Sequence, residues 1–176
     1  MPSHLYIIIG AYGSGKSEYS IHLARRFKTQ GLDVVLADLD VVNPYFRSRE
    51  MQDDFIQEGI DIIAPEGEYK HSDLPMISPR VKGAIQNKAK TVILDVGGDP
   101  AGCRTLGRFE EPIKTRGYSM LYIVNTMRPF TSTPEEIISM KEALEATSRL
   151  KITEIICNTN LMDETTAEIV LKGIKI

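Results

Sequence analysis

Gly10-Ala11-Tyr12-Gly13-Ser14-Gly15-Lys16-Ser17 decides the reading of this chain. The octapeptide satisfies G-x-x-x-x-G-K-[ST], a pattern whose fixed positions arise by chance roughly once in two hundred chains of this length. Leu5-Tyr6-Ile7-Ile8-Ile9 before it reads as a buried strand, and Tyr19, Leu23 and Phe27 after it recur at i, i+4, i+8 as the apolar stripe of a helix. Strand, glycine loop and helix together form a trap for a polyphosphate. The glycines permit positive φ and keep Cβ atoms away, so consecutive backbone N–H groups can turn inward on an anion. The helix start, through Ser17 and Glu18, adds unpaired donors and the positive end of the helix dipole. The expected binding set is therefore Gly10 to Glu18, with Lys16 on the β/γ-phosphates and the Ser17 hydroxyl placed to ligate Mg²⁺.

Length and composition agree. At 176 residues the chain is sized for one domain, 1–176, able to bury roughly 70% of its unfolded surface. Hydrophobic residues make up 42% and charged residues 26%, as in ordinary globular proteins. Apolar runs reach only about five residues, far short of a membrane span, and no signal-peptide h-region precedes the glycine loop. The net charge of −3 gives no electrostatic reason to expect nucleic acid or a membrane surface as a partner. Cys103 and Cys157 lack C-x-x-C spacing and read as small buried side chains of a reducing cytoplasm.

Strand-like and helix-like segments alternate along the rest of the chain. Strands are expected over 33–37, 60–64, 91–95, 120–124 and 154–157, a helix over 45–57, and a loop over 66–76. Ser78-Pro79 opens a helix, with Ser as N-cap and Pro in the first turn. A helix from about 103 is interrupted at Pro112. Thr133-Pro134-Glu135-Glu136 reads as a capping box, with Ile137, Met140 and Leu144 as the apolar face. Asp163 is expected to cap a last helix that stops near Gly173. Such alternation implies an α/β fold, a three-layer α/β/α P-loop domain with a mainly parallel central sheet. Right-handed crossovers put the strand ends and the loops after them along one edge. The series stops at Lys175-Ile176 after a helix, where a further strand is expected, so truncation at the C-terminus is part of the reading.

What such a site does with phosphate depends on carboxylates from neighbouring strands. Val34 to Ala37 runs into Asp38-Leu39-Asp40, and Val92 to Leu94 runs into Asp95-Val96-Gly97-Gly98. Asp95 after an apolar run fits a Walker B carboxylate that holds Mg²⁺ through water. Gly98 completes D-x-x-G, whose glycine amide can approach a γ-phosphate. The bland alternative is that Asp38, Asp40 and Asp95 cap turns; a glycine loop on the same expected edge favours the site.

These residues resemble the SIMIBI class of P-loop NTPases, and within it the ParA/MinD/CobQ-type nucleotide-binding proteins, over most of the chain. The resemblance implies ATP hydrolysis with Mg²⁺, in which Asp40 activates water and Asp38 lies near the metal. The segment from Asn125 to Glu135 is similar to that family's loop beside the nucleotide, and Asn158 to the Asn that reads the base edge. The family's signature lysine falls at Ala11, so a lysine delivered across a dimer is not implied, and a homodimer stays an open alternative. Asn158-Thr159-Asn160-Leu161 lacks the Lys and Asp of the N-K-x-D guanine code, which favours ATP over GTP.

The expectation is an ATPase whose turnover drives a conformational or partner-binding switch, its protein partner unknown. Two alternatives stay open: a small-molecule kinase in which Arg47, Arg49 and Arg80 grip an anionic acceptor, and a nucleotide-gated binding module with negligible turnover. Arg104, Arg108 and Arg128 lie near strand-end loops and read as solvated surface. His4, His22 and His71 show no metal-ligand spacing.

Overall fold

The longest apolar runs of the sequence become the inner strands of a sheet covered on both faces, the arrangement such runs need. The computed structural model describes residues 3–40, 49–64, 78–98 and 100–176. In chain order the elements are β1 (Leu5–Gly10), α1 (Lys16–Thr29), β2 (Val34–Asp38), α2 (Arg49–Gln57), β3 (Asp61–Ile63), α3 (Pro79–Gln86), β4 (Thr91–Asp95), α4 (Pro100–Gly107), α5 (Glu110–Arg116), β5 (Ser119–Val124), α6 (Pro134–Ser148), β6 (Glu154–Cys157) and α7 (Ala167–Ile174). The six strands pair in the order β3-β2-β4-β1-β5-β6, and every pairing is parallel. Ile8 and Asp38 both align with Asp95, so the acidic strand ends and the glycine loop emerge on one edge. No helix among the described residues is long and apolar enough to cross a membrane.

Alternation along the strands splits the core in two. Ile8, Leu36, Ile93 and Ile123 face α1 and α2, where Ile21, Ala24, Phe27 and Phe55 meet them. Ile7, Ile9, Val35, Leu94 and Tyr122 face the other way, against Val81, Cys103, Ile113 and Leu144 of α3 to α6. Phe27 of the expected α1 stripe is buried and Tyr19 and Leu23 pack partly buried against the same cluster, with Ile21 and Ala24 adding to the buried face. Each fully buried aliphatic side chain is worth about 1.5–3 kcal/mol, so the four inner strands anchor the fold.

Local chemistry sets the helix ends, and here several expectations shift. Ser78 caps α3 as expected, its hydroxyl accepting from the Arg80 N–H at 3.3 Å. Thr133 likewise accepts from the Glu136 N–H, but the Glu136 carboxylate turns to Ser132, taking its N–H at 2.8 Å and its hydroxyl at 2.6 Å. The capping box is thus displaced by one residue. Pro112 breaks nothing: α4 ends at Gly107, and Pro112 lies in the first turn of α5, where no backbone N–H is needed. Asp163 falls in a short 3₁₀ turn, and the cap of α7 is Thr166, which accepts from Ile169 N–H. Cys103 is buried, whereas Cys157 ends the edge strand β6 and is exposed; the two do not form a disulfide.

Candidate phosphate and nucleotide site

The glycine loop takes the form its sequence implies. Gly13 and Gly15 stand at φ 73° and 85°, which side chains strongly disfavour, and Gly15 is the N-cap of α1. It offers no side-chain cap, so no side-chain oxygen of Gly15 takes up the amides of Lys16 to Glu18, while its carbonyl accepts the Tyr19 N–H at 2.9 Å. Gly10 is glycine for a different reason: it ends β1, and a Cβ there would run into the Ile123 carbonyl. Lys16 is buried, and its Nζ donates to the Ala11 carbonyl at 3.1 Å, which places the ammonium over the loop. The Glu18 side chain points to solvent and pairs with His22 at 3.3 Å, so only its backbone belongs to the loop.

Gly98 closes the other wall. A Cβ at this position would lie 2.8 Å from Lys16 Nζ and 3.0 Å from the Tyr12 backbone. The glycine of D-x-x-G therefore keeps open the space beside the ammonium, a cradle that any larger residue would fill. Ser14, inside the loop, carries a buried hydroxyl with no hydrogen-bond partner among the described residues.

Asp95 lies beneath the loop, 1% exposed, accepting from the Ser20 hydroxyl at 3.2 Å and from the Ser17 hydroxyl. Burial pushes its pKa up to about 6, against the pull of Ser17, Lys16 and Ser20, and the nearby Asp40 charge pushes the same way. A buried carboxylate this poorly compensated, beside a serine hydroxyl, is a donor set suited to a hard divalent cation. Among the described residues no three His, Cys, Asp or Glu side chains form a metal cage alone. Asp38 is buried at the end of β2, where its Oδ1 accepts the Asp40 N–H at 2.9 Å. The Asp40 carboxylate packs against Gly97: a Cβ there would stand 3.4 Å from its Oδ1. The D-x-D pair is thus divided, one carboxylate bracing the turn and the other reaching toward the β4 loop.

Two side chains from distant loops bond to carbonyls of the glycine loop. Asn158 Nδ2 donates to the Ser14 carbonyl at 2.8 Å, and its Oδ1 has no hydrogen-bond partner among the described residues. Arg128 Nε donates to the Gly13 carbonyl at 3.3 Å. Arg128 is half-buried against the loop, and nothing in the sequence distinguishes it from Arg104 and Arg108, which are exposed. Arg80 is engaged by Asp61 at 3.1 Å, and Arg47, Arg49 and His71 lie outside the side chains described.

No protein-family model and no curated protein matches this chain. Solved structures match its fold. Cell division protein FtsY from Thermotoga maritima aligns with a TM-score of 0.64 at 18% identity, over 89% of this chain and 52% of that one. Signal recognition particle receptor FtsY from Elizabethkingia anophelis in complex with GDP aligns at 0.57 and 19% identity, over 99% and 54%. The kinase domain of Escherichia coli tyrosine kinase ETK aligns at 0.59 and 18%, over 94% and 71%. The chain spans about half the length of the FtsY chains it matches. With a parallel sheet, a glycine loop at the end of β1 and acidic ends on β2 and β4, the chain shares the α/β fold of these FtsY and ETK kinase-domain structures.

Proposed function

We propose that residues 1–176 act as one cytoplasmic domain that binds ATP with Mg²⁺ and hydrolyses it, as a switch for a protein partner. The observation that carries the reading is the uncapped start of α1 beside the Lys16 ammonium, with Gly98 keeping the space above it clear. Backbone amides of Gly13 to Ser17 converge on a β-phosphate in this reading, and Lys16 neutralises charge between the β- and γ-phosphates. Ser17, Asp95 and Asp38 would hold the Mg²⁺, which supplies charge neutralisation on the phosphate oxygens. Asp40 orients the attacking water and accepts its proton as the bond to the γ-phosphorus forms and the β–γ bridge breaks. In this reading Asn158, held on the Ser14 carbonyl through its Nδ2, lies beside the purine base.

Lys16→Ala tests the reading. Losing a charged contact worth about 1.5–3 kcal/mol should weaken ATP binding roughly tenfold to a hundredfold with the melting temperature kept. Unchanged affinity by titration calorimetry would overturn the assignment. Turnover by the isolated protein separates hydrolysis from the two alternatives: a kinase needs an added acceptor, and a gated module yields no product.

A further inference from the structure

We propose that Arg128 is a second cation of the phosphate site and that it makes the site favour a nucleoside triphosphate over the diphosphate. The inference rests on the nucleotide reading above and adds a residue to it. Arg128 stands 115 positions from Gly13 in sequence, yet its side chain lies along the glycine loop. Its Nε, Cδ and Cγ fall 3.5, 3.6 and 4.0 Å from where a Cβ on Gly13 would be.

The backbone that carries it is held firmly. Arg128 N–H donates to the Asn125 carbonyl at 3.1 Å, and the Thr131 hydroxyl donates to the same carbonyl at 2.8 Å. Asn125 is fully buried; its Oδ1 accepts from the Met127 and Asn160 N–H groups, and its Nδ2 donates to the Asn160 carbonyl. An arginine on such a support keeps its position without a ligand, so little ordering cost falls on binding.

No carboxylate among the described residues uses its charge. Arg25 pairs with Glu58, Arg80 with Asp61, and Arg149 with Glu110. Arg116, the other described arginine that is partly buried, ties four carbonyls of the α3–β4 connection. Arg128 has no carboxylate partner among the described residues, and its one side-chain bond goes to a neutral carbonyl through Nε. The Nη groups carry four further N–H donors in the same plane, the fork that matches phosphate oxygens. A fixed, unneutralised guanidinium on the rim of an anion cradle acts on the ligand in proportion to the ligand's charge. The triphosphate carries more negative charge than the diphosphate and extends further from the loop. Its binding should therefore depend more on Arg128.

The test uses Arg128→Gln, which keeps an amide donor without charge, and Arg128→Lys, which keeps the charge. Binding of a β,γ-imido ATP analogue and of ADP, each with Mg²⁺, is measured by calorimetry at two salt concentrations. In the Gln variant the analogue should bind about tenfold more weakly and with a shallower salt dependence, while ADP changes by no more than about threefold. The Lys variant should recover most of the preference. Equal losses for both ligands at unchanged salt dependence would make Arg128 a brace for the loop and overturn the proposal. A Gln variant identical to wild type would overturn it while leaving the nucleotide reading intact. Wild-type protein that binds neither ligand would overturn both.

Discussion

Two buried carboxylates, Asp95 under the glycine loop and Glu145 on α6, have opposite fates. Glu145 is also buried, and burial opposes its charge, but hydrogen bonds from Lys151, Lys141 and the Ile152 N–H pull its pKa down to about 2. Asp95 has two serine hydroxyls and a nearby Lys16, and burial prevails, leaving its pKa at about 6. Glu145 joins the end of α6 to the start of β6, so it is a finished joint. Asp95 is held charged only at a cost, in the one region where loop amides and a lysine also converge. Of the two, the carboxylate that joins elements is the compensated one, and the one beneath the glycine loop is not.

The comparison breaks first at the chemistry. Asp40→Ala should bind ATP and Mg²⁺ almost normally yet turn over about 10²–10⁴ times more slowly, measured by phosphate release. Equal turnover would remove Asp40 from the reaction and leave the acidic cluster without a catalytic member.

Stability sharpens it next, with opposite signs at the two carboxyls. A folded pKa of about 6, above the ordinary 3.8, means the nucleotide-free protein loses stability as pH rises through that interval. That difference costs about 3 kcal/mol above pH 6. Asp95→Asn should therefore raise the melting temperature at pH 7 and flatten the fall between pH 4 and 6, while abolishing the Mg²⁺ dependence of ATP binding. A variant less stable than wild type at pH 7 would show that Asp95 is compensated after all.

Glu145 should behave in reverse. Its folded pKa of about 2 lies below the ordinary 4.5, so its contribution is full above pH 4.5 and lost as pH falls toward 2. Glu145→Gln should cost about 1–3 kcal/mol in urea denaturation at pH 7 and leave ATP binding unchanged. A loss of nucleotide affinity in that variant would erase the distinction between joint and site.

Local signals made much of this legible in the sequence. The glycine loop, the apolar strands and the Ser78 and Thr133 caps each depend on residues within a few positions of one another. Misreadings came where two local options compete. Pro112 reads as a breaker, yet the first turn of α5 tolerates it; Asp163 and Thr166 are both capable caps, and the chain uses the second. Asp38 reads as a carboxylate near the metal, and the Asx turn in which its Oδ1 accepts the Asp40 N–H is a local contact that the reading did not include. Arg128 on Gly13 and Asn158 on Ser14 span 115 and 144 residues, and no periodicity reports such contacts. Only the sheet order, which sets β5 beside β1 and β6 beyond it, brings them together.

The bare start of α1 has one more consequence. Gly15 has no side chain with which to terminate the helix, so a phosphate seated on the loop would serve as its terminal residue. Ligand and secondary structure then share one set of amides. Occupancy of the site would be written into the protection of the Lys16 to Glu18 backbone against solvent exchange, and the first turn of α1 becomes the gauge by which the rest of the domain registers that the site is filled.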